Sequence, residues 1–592
     1  MRRAACHFLR AGTLGAIAGV LAAFIVLSAQ TGKRPPLASN DIDDIAKLLM
    51  LEDTRQFDRE PLSRIVRSPH PEVRRRATLA IARIADPAGL PLLDAARADK
   101  DPDVAATVMF AAGQLKIAST IPWLEEAMSL PASPPAVARE AAIALGKFQA
   151  PEARAALARY LGAVAPSSRS APVVGEALLS IGRFSVREDL APILRWAKSP
   201  DAELRWRAAW ALFRPRDPAA APHLFELTSD RSAEVRFWAL RGLTPPTAPQ
   251  TAGGAAPPSG VTAEADPPGF DRAKFSTRLR SALTDQDRRV RTEALRGLAQ
   301  FDDDESFALV IKALESPDAW LSVSAAEVMG RFKSRSETVV PHLVAAAPKE
   351  RPLALRISAL TPLVALSPPA ALDLATALAR EDSVVARTAA RQALGRLDAA
   401  GRAKLDALTA EGVFPPPPAQ GEGRGRGRGA AQPREPRPEG EYRALVERWI
   451  VPDYNGAPRP RAIWETPRGT IELELYPGDA PFGADYFVKV VESGEIVGTE
   501  FGRVVPNFVA QQRPIRDEGT LRDEVNRHGL TRANLSWASA GLDTGRPGYT
   551  LGFTPQPHNE GNFTALGRVV SGMDAVERLE LGDKITAARM KR

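Results

Sequence analysis

The chain has 592 residues, more than one hydrophobic core usually serves, so several domains are expected. Its 78 basic and 71 acidic side chains leave a net charge of +7, too slight a bias to argue for nucleic acid as a partner. A single cysteine, Cys6, and six scattered histidines exclude a disulfide scaffold and a thiolate centre from the folded part, and neither a metal nor another cofactor is expected.

At the N-terminus, Arg2, Arg3 and Arg10 precede an uncharged run from Ala11 to Gln30, and Lys33 and Arg34 follow it. A basic stretch before an apolar one is the pattern of an export signal. The run is also just long enough to span a bilayer as a helix. Residues 1–34 are therefore expected to be a signal peptide or an N-terminal membrane anchor through residues 11–30. The basic residues keep the N-terminus in the cytoplasm in either case. The body of the protein is then exported: periplasmic or otherwise extracytoplasmic, soluble or tethered.

From about residue 40 to 412 the sequence repeats itself. Each unit carries a small or acidic turn, a Val or Leu, often an Arg, and then an alanine-rich stretch. Examples are His70-Pro-Glu-Val73-Arg74, Asp101-Pro-Asp-Val104, Pro135-Ala-Val137-Ala-Arg139 and Asp201-Ala-Glu-Leu204-Arg205. Ser232-Ala-Glu-Val235-Arg236, Gln286-Asp-Arg-Arg-Val290-Arg291, Pro317-Asp-Ala-Trp-Leu321 and Asp382-Ser-Val-Val385-Ala-Arg387 continue the series. The markers step by about 30 to 37 residues, a period that means stacked helix pairs. After a marker, apolar residues recur at spacings of three and four, as in Ala77, Ala80, Ile81 and Ile84. The Asp-Pro start is read as a helix cap with proline in the first turn. One arginine per unit is read as an internal ladder with acidic neighbours rather than as a ligand site. The pattern resembles HEAT repeats of the short, phycobilisome-lyase-like kind. That resemblance implies a solenoid able to hold a protein partner on its concave face.

Two stretches interrupt the order. Residues 245–269, rich in Pro, Ala, Gly and Thr, read as a disordered insertion. Residues 413–440 hold four consecutive prolines, the run Gly423-Arg-Gly-Arg-Gly-Arg-Gly429 and a second proline-rich stretch, and read as a linker. The Arg-Gly run lacks interleaved aromatics, which argues against RNA as its partner.

Residues 441–592 change period. Thr470–Tyr476 alternates with Ile471, Leu473 and Leu475 on one face, as a half-buried strand does, and Asp479–Glu492 reads as a helix. Short strands and glycine turns follow. Four blocks then occur in order: Tyr476-Pro-Gly-Asp-Ala-Pro481 with Asp485-Tyr-Phe487; Phe501-Gly-Arg503-Val-Val-Pro-Asn-Phe508-Val-Ala-Gln511; Leu535-Ser-Trp-Ala538-Ser-Ala540-Gly541 with Asp543-Thr544; and Pro557-His558-Asn-Glu-Gly561 with Leu566-Gly-Arg-Val-Val-Ser-Gly-Met573. Together they resemble the cyclophilin family of peptidyl-prolyl cis/trans isomerases. The fold expected for the whole chain is therefore multidomain, an all-α HEAT-repeat solenoid followed by a cyclophilin-like β-barrel.

What the resemblance implies about chemistry can be weighed against what the reaction requires. The barrier to X–Pro rotation comes from amide resonance, about 18–20 kcal/mol. A catalyst needs an apolar pocket for the proline ring and a donor aimed at the prolyl nitrogen as the amide twists. The resemblance makes Arg503 that donor, Phe508 the pocket floor and Gln511 the residue that orients the arginine and holds the substrate backbone. It places Val509, Ala538, Ser539, Thr550, His558, Asn559 and Phe563 at substrate-binding positions. The sequence departs from the family pattern at several of these. Gly502 replaces the histidine before the arginine, and Gln512 and Arg513 replace glycines. Val509 stands for a methionine, Thr550 for an aromatic, Asn559 for a leucine and Phe563 for a histidine. Phe563 or Tyr549 is expected to refill the pocket. Two readings follow: an isomerase that assists exported or envelope proteins, binding their proline-containing segments while the repeats recruit them, or a scaffold with a weakly catalytic or non-catalytic cyclophilin domain.

Overall fold

The computed structural model describes residues 34–185, 189–244, 269–414, 434–515, 520–539 and 541–591. The expected signal or anchor, nearly all of the expected insertion and most of the expected linker lie outside these residues. Among the described residues no helix is long and apolar enough to cross a membrane. Leu37–Arg592 pack as one compact unit.

The repeats form as the period requires. Each marker motif opens a helix: Pro71–Ile84, Pro102–Leu115, Pro135–Leu145, Ala202–Phe213, Ala233–Leu243, Arg288–Leu298, Ala319–Met329 and Val384–Leu394 belong to this row. The caps are the ones the sequence suggests. The Asp101 carboxylate accepts from the backbone N–H of Asp103 at 2.9 Å and of Val104 at 3.2 Å, with Pro102 in the first turn. Asp201, Asp287 and Asp318 cap their helices in the same way. Val73, Val104, Val235 and Val290 are fully buried. In the last of these motifs but one, Trp320 is buried while Leu321 stays partly exposed. Small residues let neighbouring helices touch. A Cβ at Gly113 would lie 2.8 Å from the Cβ of Ala144, and one at Gly146 only 2.6 Å from that of Ser180.

The arginine ladder is present and regular. Arg74 pairs with Asp99 at 2.6 Å, Arg205 with Asp230 at 2.7 Å and Arg236 with Asp285 at 2.8 Å. Each guanidinium also donates to two backbone carbonyls just before its own helix, as Arg205 does to Ser199 and Pro200. The acidic partner in turn accepts from the backbone of the next unit's first turn: Asp99 from Asp101, Asp230 from Ser232 and Asp285 from Asp287. Arg291 with Asp318 and Arg356 with Glu381 extend the series. The arginine is thus spent on joining one unit to the next.

After the repeats the chain returns to its beginning. The helix Glu439–Leu445 lies against the first helix, Ser39–Thr54, where the Tyr442 hydroxyl donates to Asp53 at 3.0 Å. Eight antiparallel strands follow: β1 (Arg461–Thr466), β2 (Gly469–Leu475), β3 (Phe501–Val505), β4 (Val509–Gln512), β5 (Asn534–Trp537), β6 (Tyr549–Gly552), β7 (Ala565–Ser571) and β8 (Ala587–Lys591). Their order is β3-β4-β6-β5-β7-β2-β1-β8. The sheet curls until its ends meet: Phe501 N donates to Asp583 O at 2.8 Å and Gly498 N to Ile585 O at 2.7 Å. Ile471, Leu473 and Leu475 of β2 point inward and are fully buried, as their alternation predicts.

The marker row does not stand apart from the barrel. At one end Arg55 forms a two-pronged pair with Asp543, the side chains 6% and 2% exposed, so that both charges are buried and satisfied together. Arg83 bridges Glu52 of the first helix and the Val525 carbonyl of the barrel. In the middle, Arg183 donates to Pro557 O, Arg241 to Asn507 O, and Trp320 packs on Phe553 with ring centroids 5.0 Å apart. At the other end the Glu500 carboxylate accepts from Val385 N at 3.0 Å. The protein domain held along this row is the chain's own barrel.

Candidate active site

The site begins with a turn that the sequence specifies. Between β3 and β4 the residues Val505-Pro506-Asn507-Phe508 close on themselves, with Phe508 N donating to Val505 O at 3.0 Å. Proline at the second position fixes φ there, and Asn507 takes the third at φ +65°, the left-handed value such a turn requires. The turn carries Phe508 out of the sheet at a half-buried position.

Strand pairing sets the rest. Arg503 of β3 lies opposite Gln511 of β4, Gln511 opposite Thr550 of β6, and Thr550 opposite Ser536 of β5. These four residues form a row across four neighbouring strands. Arg503 donates to Gln511 Oε1 at 3.4 Å, and its guanidinium carbon lies 5.4 Å from the centre of the Phe508 ring. His558 also stacks on Phe508, at 6.4 Å with an interplanar angle of 21°. Arg503, Phe508, Gln511, Thr550 and His558 are all partly exposed, so the group opens to solvent. Burial draws the pKa of the Arg503 guanidinium below its ordinary value, yet arginine remains charged at any physiological pH. Burial, then the charges of Arg214, Arg241 and Arg183, push the His558 imidazole down to about 3 and keep it neutral.

The other expected site residues are placed less uniformly. Val509, the first residue of β4, is buried at 4% exposure. Ala538 and Ser539 follow β5 and are partly exposed; the Ser539 hydroxyl is held within its own loop, donating to Gly541 O and lying 3.3 Å from the Thr544 hydroxyl. Asn559 donates to Gln556 Oε1 at 2.9 Å. Phe563 is half-buried in the stretch before β7. Thr550 shares a 2.6 Å hydrogen bond with the Ser536 hydroxyl, so a polar pair occupies this part of the row. Tyr549 does not refill the pocket. Strand alternation turns it into the barrel, where it is fully buried against Phe487 at 5.0 Å and Trp464 at 6.0 Å.

Sequence reasoning missed the groups that hold the site from the repeat side. Arg241 donates to Asn507 O at 2.9 Å and Arg296 to Pro506 O at 3.3 Å. Asn507, fully buried, donates through its amide to Glu293 Oε1 at 2.9 Å and to Arg289 O at 3.1 Å. Arg183 donates to the carbonyl of Pro557, the residue before His558. The only signal in the sequence was an arginine near the end of successive marker helices. Nothing local says what those arginines reach.

The arrangement is a half-buried aromatic ring with a fixed cation and a neutral imidazole beside it. The ring can take a small apolar group, and the guanidinium beside it is a fixed donor. Known proteins resemble both parts of the chain. Residues 462–592 match the family described as cyclophilin type peptidyl-prolyl cis-trans isomerase/CLD, and residues 89–171, 161–244 and 276–363 match HEAT repeats. The C-terminal part is similar to "Peptidyl-prolyl cis-trans isomerase B" of Bacillus subtilis, 35% identical over 129 residues, which cover 20% of this chain and 90% of that protein. It is also similar to the "Peptidyl-prolyl cis-trans isomerase" of Synechococcus elongatus, 33% identical over 138 residues, covering 22% of this chain and 95% of the relative. The corresponding Helicobacter pylori protein is 35% identical over 136 residues, covering 21% and 82%.

Proposed function

Through residues 462–592 the chain belongs to the cyclophilin-type peptidyl-prolyl cis/trans isomerase family, and on that premise we propose that it is an exported isomerase acting on proline-containing segments of extracytoplasmic proteins. The observation that carries this reading is the Arg503–Phe508–Gln511 group, assembled at a partly exposed position by the β3–β4 turn and the strand register. In it Phe508 receives the proline ring. Arg503 donates to the prolyl nitrogen, whose lone pair localises as the amide twists. Gln511 holds the guanidinium in place and offers its amide to the substrate backbone. Val509, Ala538, Ser539, Thr550, His558, Asn559 and Phe563 border the groove. No bond is made or broken, so positioning and one well-aimed cation suffice. Residues 1–34 carry the chain out of the cytoplasm, as a cleaved signal or as an anchor, and residues 40–412 and 441–592 act as repeat scaffold and isomerase domain.

A second reading is favoured by the Thr550–Ser536 pair and by Asn559, which put polar groups at positions that the family pattern makes apolar. In that reading the domain binds proline segments without turning them over. One experiment separates the two: the full chain and Arg503→Ala are compared for the rate of cis-to-trans conversion of a single-proline peptide. Spontaneous conversion takes tens of seconds or more, so acceleration is easily seen. Acceleration by the wild type, reduced roughly a hundredfold in Arg503→Ala, supports the isomerase. A folded wild type with no rate above background leaves the binding reading.

A further inference from the structure

Three successive repeats carry an arginine at the end of a marker-row helix, and the charges of all three act on His558. Arg183 lies two residues after the helix Ala171–Ile181, Arg214 directly after Ala202–Phe213, and Arg241 in the last turn of Ala233–Leu243. Two of them are fixed to the pocket's own walls: Arg183 donates to Pro557 O at 2.5 Å and Arg241 to Asn507 O at 2.9 Å, one residue before His558 and one before Phe508 respectively. Arg216, over the Phe213 ring at 4.6 Å, adds a fourth cation.

The acids facing this group do not balance it. Glu560 lies 3.1 Å from Arg183. Glu293 lies 3.8 Å from Arg241 but already accepts from Asn507 at 2.9 Å and from Arg296 at 3.4 Å. The Arg214 side chain has neither an acidic nor a hydrogen-bonding partner among the described residues, and burial and the nearby Arg183 lower its pKa. Arg183, its side chain 9% exposed, keeps a buried Nε with no partner. Like charges held this close repel, and the repulsion is screened less at a partly buried site than in water. An anion arriving there is favoured twice, by attraction and by relief of that repulsion.

A peptide whose proline ring rests on Phe508 has both Arg503 and His558 beside it, and one flank of it leaves across the histidine. An extended chain advances about 3.3 Å per residue, so a side chain within about three residues of the proline passes the histidine and comes to the arginines. We infer that Arg183, Arg214 and Arg241 form a subsite of the repeats that selects segments bearing an aspartate or glutamate on that flank. Arg214 is the member free to pair with the carboxylate, while Arg183 and Arg241 hold the pocket walls and supply field. The repeats thereby take part in choosing the substrate of the neighbouring domain. The inference rests on the reading of Phe508 as the seat of the proline ring.

The test is binding to the full chain of fluorescein-labelled alanine-rich peptides with one proline and either Glu or Gln two or three residues to each side of it, read by anisotropy at low and high salt. Turnover of the Gln peptide is followed in parallel. The Glu peptide is expected to bind roughly three- to tenfold more tightly than the Gln peptide at low salt, with the ratio shrinking at high salt. Arg214→Glu inverts the preference, and Arg214→Lys, which keeps the charge, retains most of it. Equal affinities for the two peptides in the wild type, no binding of the Glu peptide, or a preference unchanged in Arg214→Glu would each overturn the inference. Turnover without acid preference defeats only this inference; acid preference without turnover leaves it standing and defeats the isomerase.

Discussion

Asn507 is the residue through which the repeats hold the pocket, and its replacement has a cost that can be worked out. Its amide donates to Glu293 and to the Arg289 carbonyl, its own carbonyl accepts from Arg241 and from the Thr554 hydroxyl, and its backbone sits at φ +65°. Asn507→Ala removes the side-chain bonds, one of them to a carboxylate, at about 2 kcal/mol. It also forces a Cβ-bearing residue with no polar side chain into the left-handed region, at about 1 kcal/mol more. Asn507→Gly loses the same bonds but fits that backbone without strain. Urea unfolding followed by tryptophan fluorescence should therefore show the Ala variant destabilised by about 3 kcal/mol and the Gly variant by about 2 kcal/mol. Phe508 is the next residue, so both variants should also lose turnover of a single-proline peptide, on the order of tenfold, because a misplaced pocket floor misplaces the substrate. Equal stabilities for Ala and Gly would refute the backbone argument. Unchanged turnover in both would refute the claim that the repeats position the pocket.

Two further outcomes follow from other parts of the molecule. Arg205→Ala breaks a ladder pair whose side chains are 7% and 11% exposed and strands Asp230, so it should destabilise the chain by about 3 kcal/mol, whereas removing the exposed Arg159–Glu125 pair should cost under about 1 kcal/mol; parallel urea melts compare them. Burial pushes the Glu524 and Glu560 carboxyls up to about 7, above their unfolded values, so the folded chain keeps protons there that the unfolded chain releases. That stability is complete below the unfolded values and is lost as pH rises through 7, so thermal midpoints should fall between pH 6 and pH 8, and a midpoint that holds or rises across this range contradicts the assignment.

Much of the architecture was legible because it rests on local chemistry. The caps at Asp101, Asp201 and Asp287 act within three residues of themselves, and the ladder arginines Arg74 and Arg205 each meet an acid 25 residues on, in the turn before the next unit. Arg503, Phe508 and Gln511 meet as the family resemblance implies, because the turn and the β3–β4 register that join them are set by neighbouring residues. Tyr549 was misread as a candidate to refill the pocket because a one-residue step along a strand reverses the face, and only the pairing of β6 with β4 and β5 decides which face is which. The engagement of Ser539 and Asn559 by their own loops was hidden for a similar reason: short polar side chains settle on whichever backbone or amide lies nearest, and that depends on how the loop closes.

By itself, the sequence determined a helical array with its joining arginines, a following β-domain, and the order of the blocks that carry the candidate site. Periodicity, caps and turns act over a few residues, and their signals survive in one dimension. Only the tertiary structure decided that the array embraces the β-domain, with Arg55 on Asp543, Arg241 on Asn507 and Glu500 on Val385. These contacts join residues more than a hundred positions apart, between groups of common types that have many equivalent partners in the sequence. What selects among those partners is the curvature of the stacked repeats against the curl of the sheet, a property of the assembled surfaces that no single segment carries.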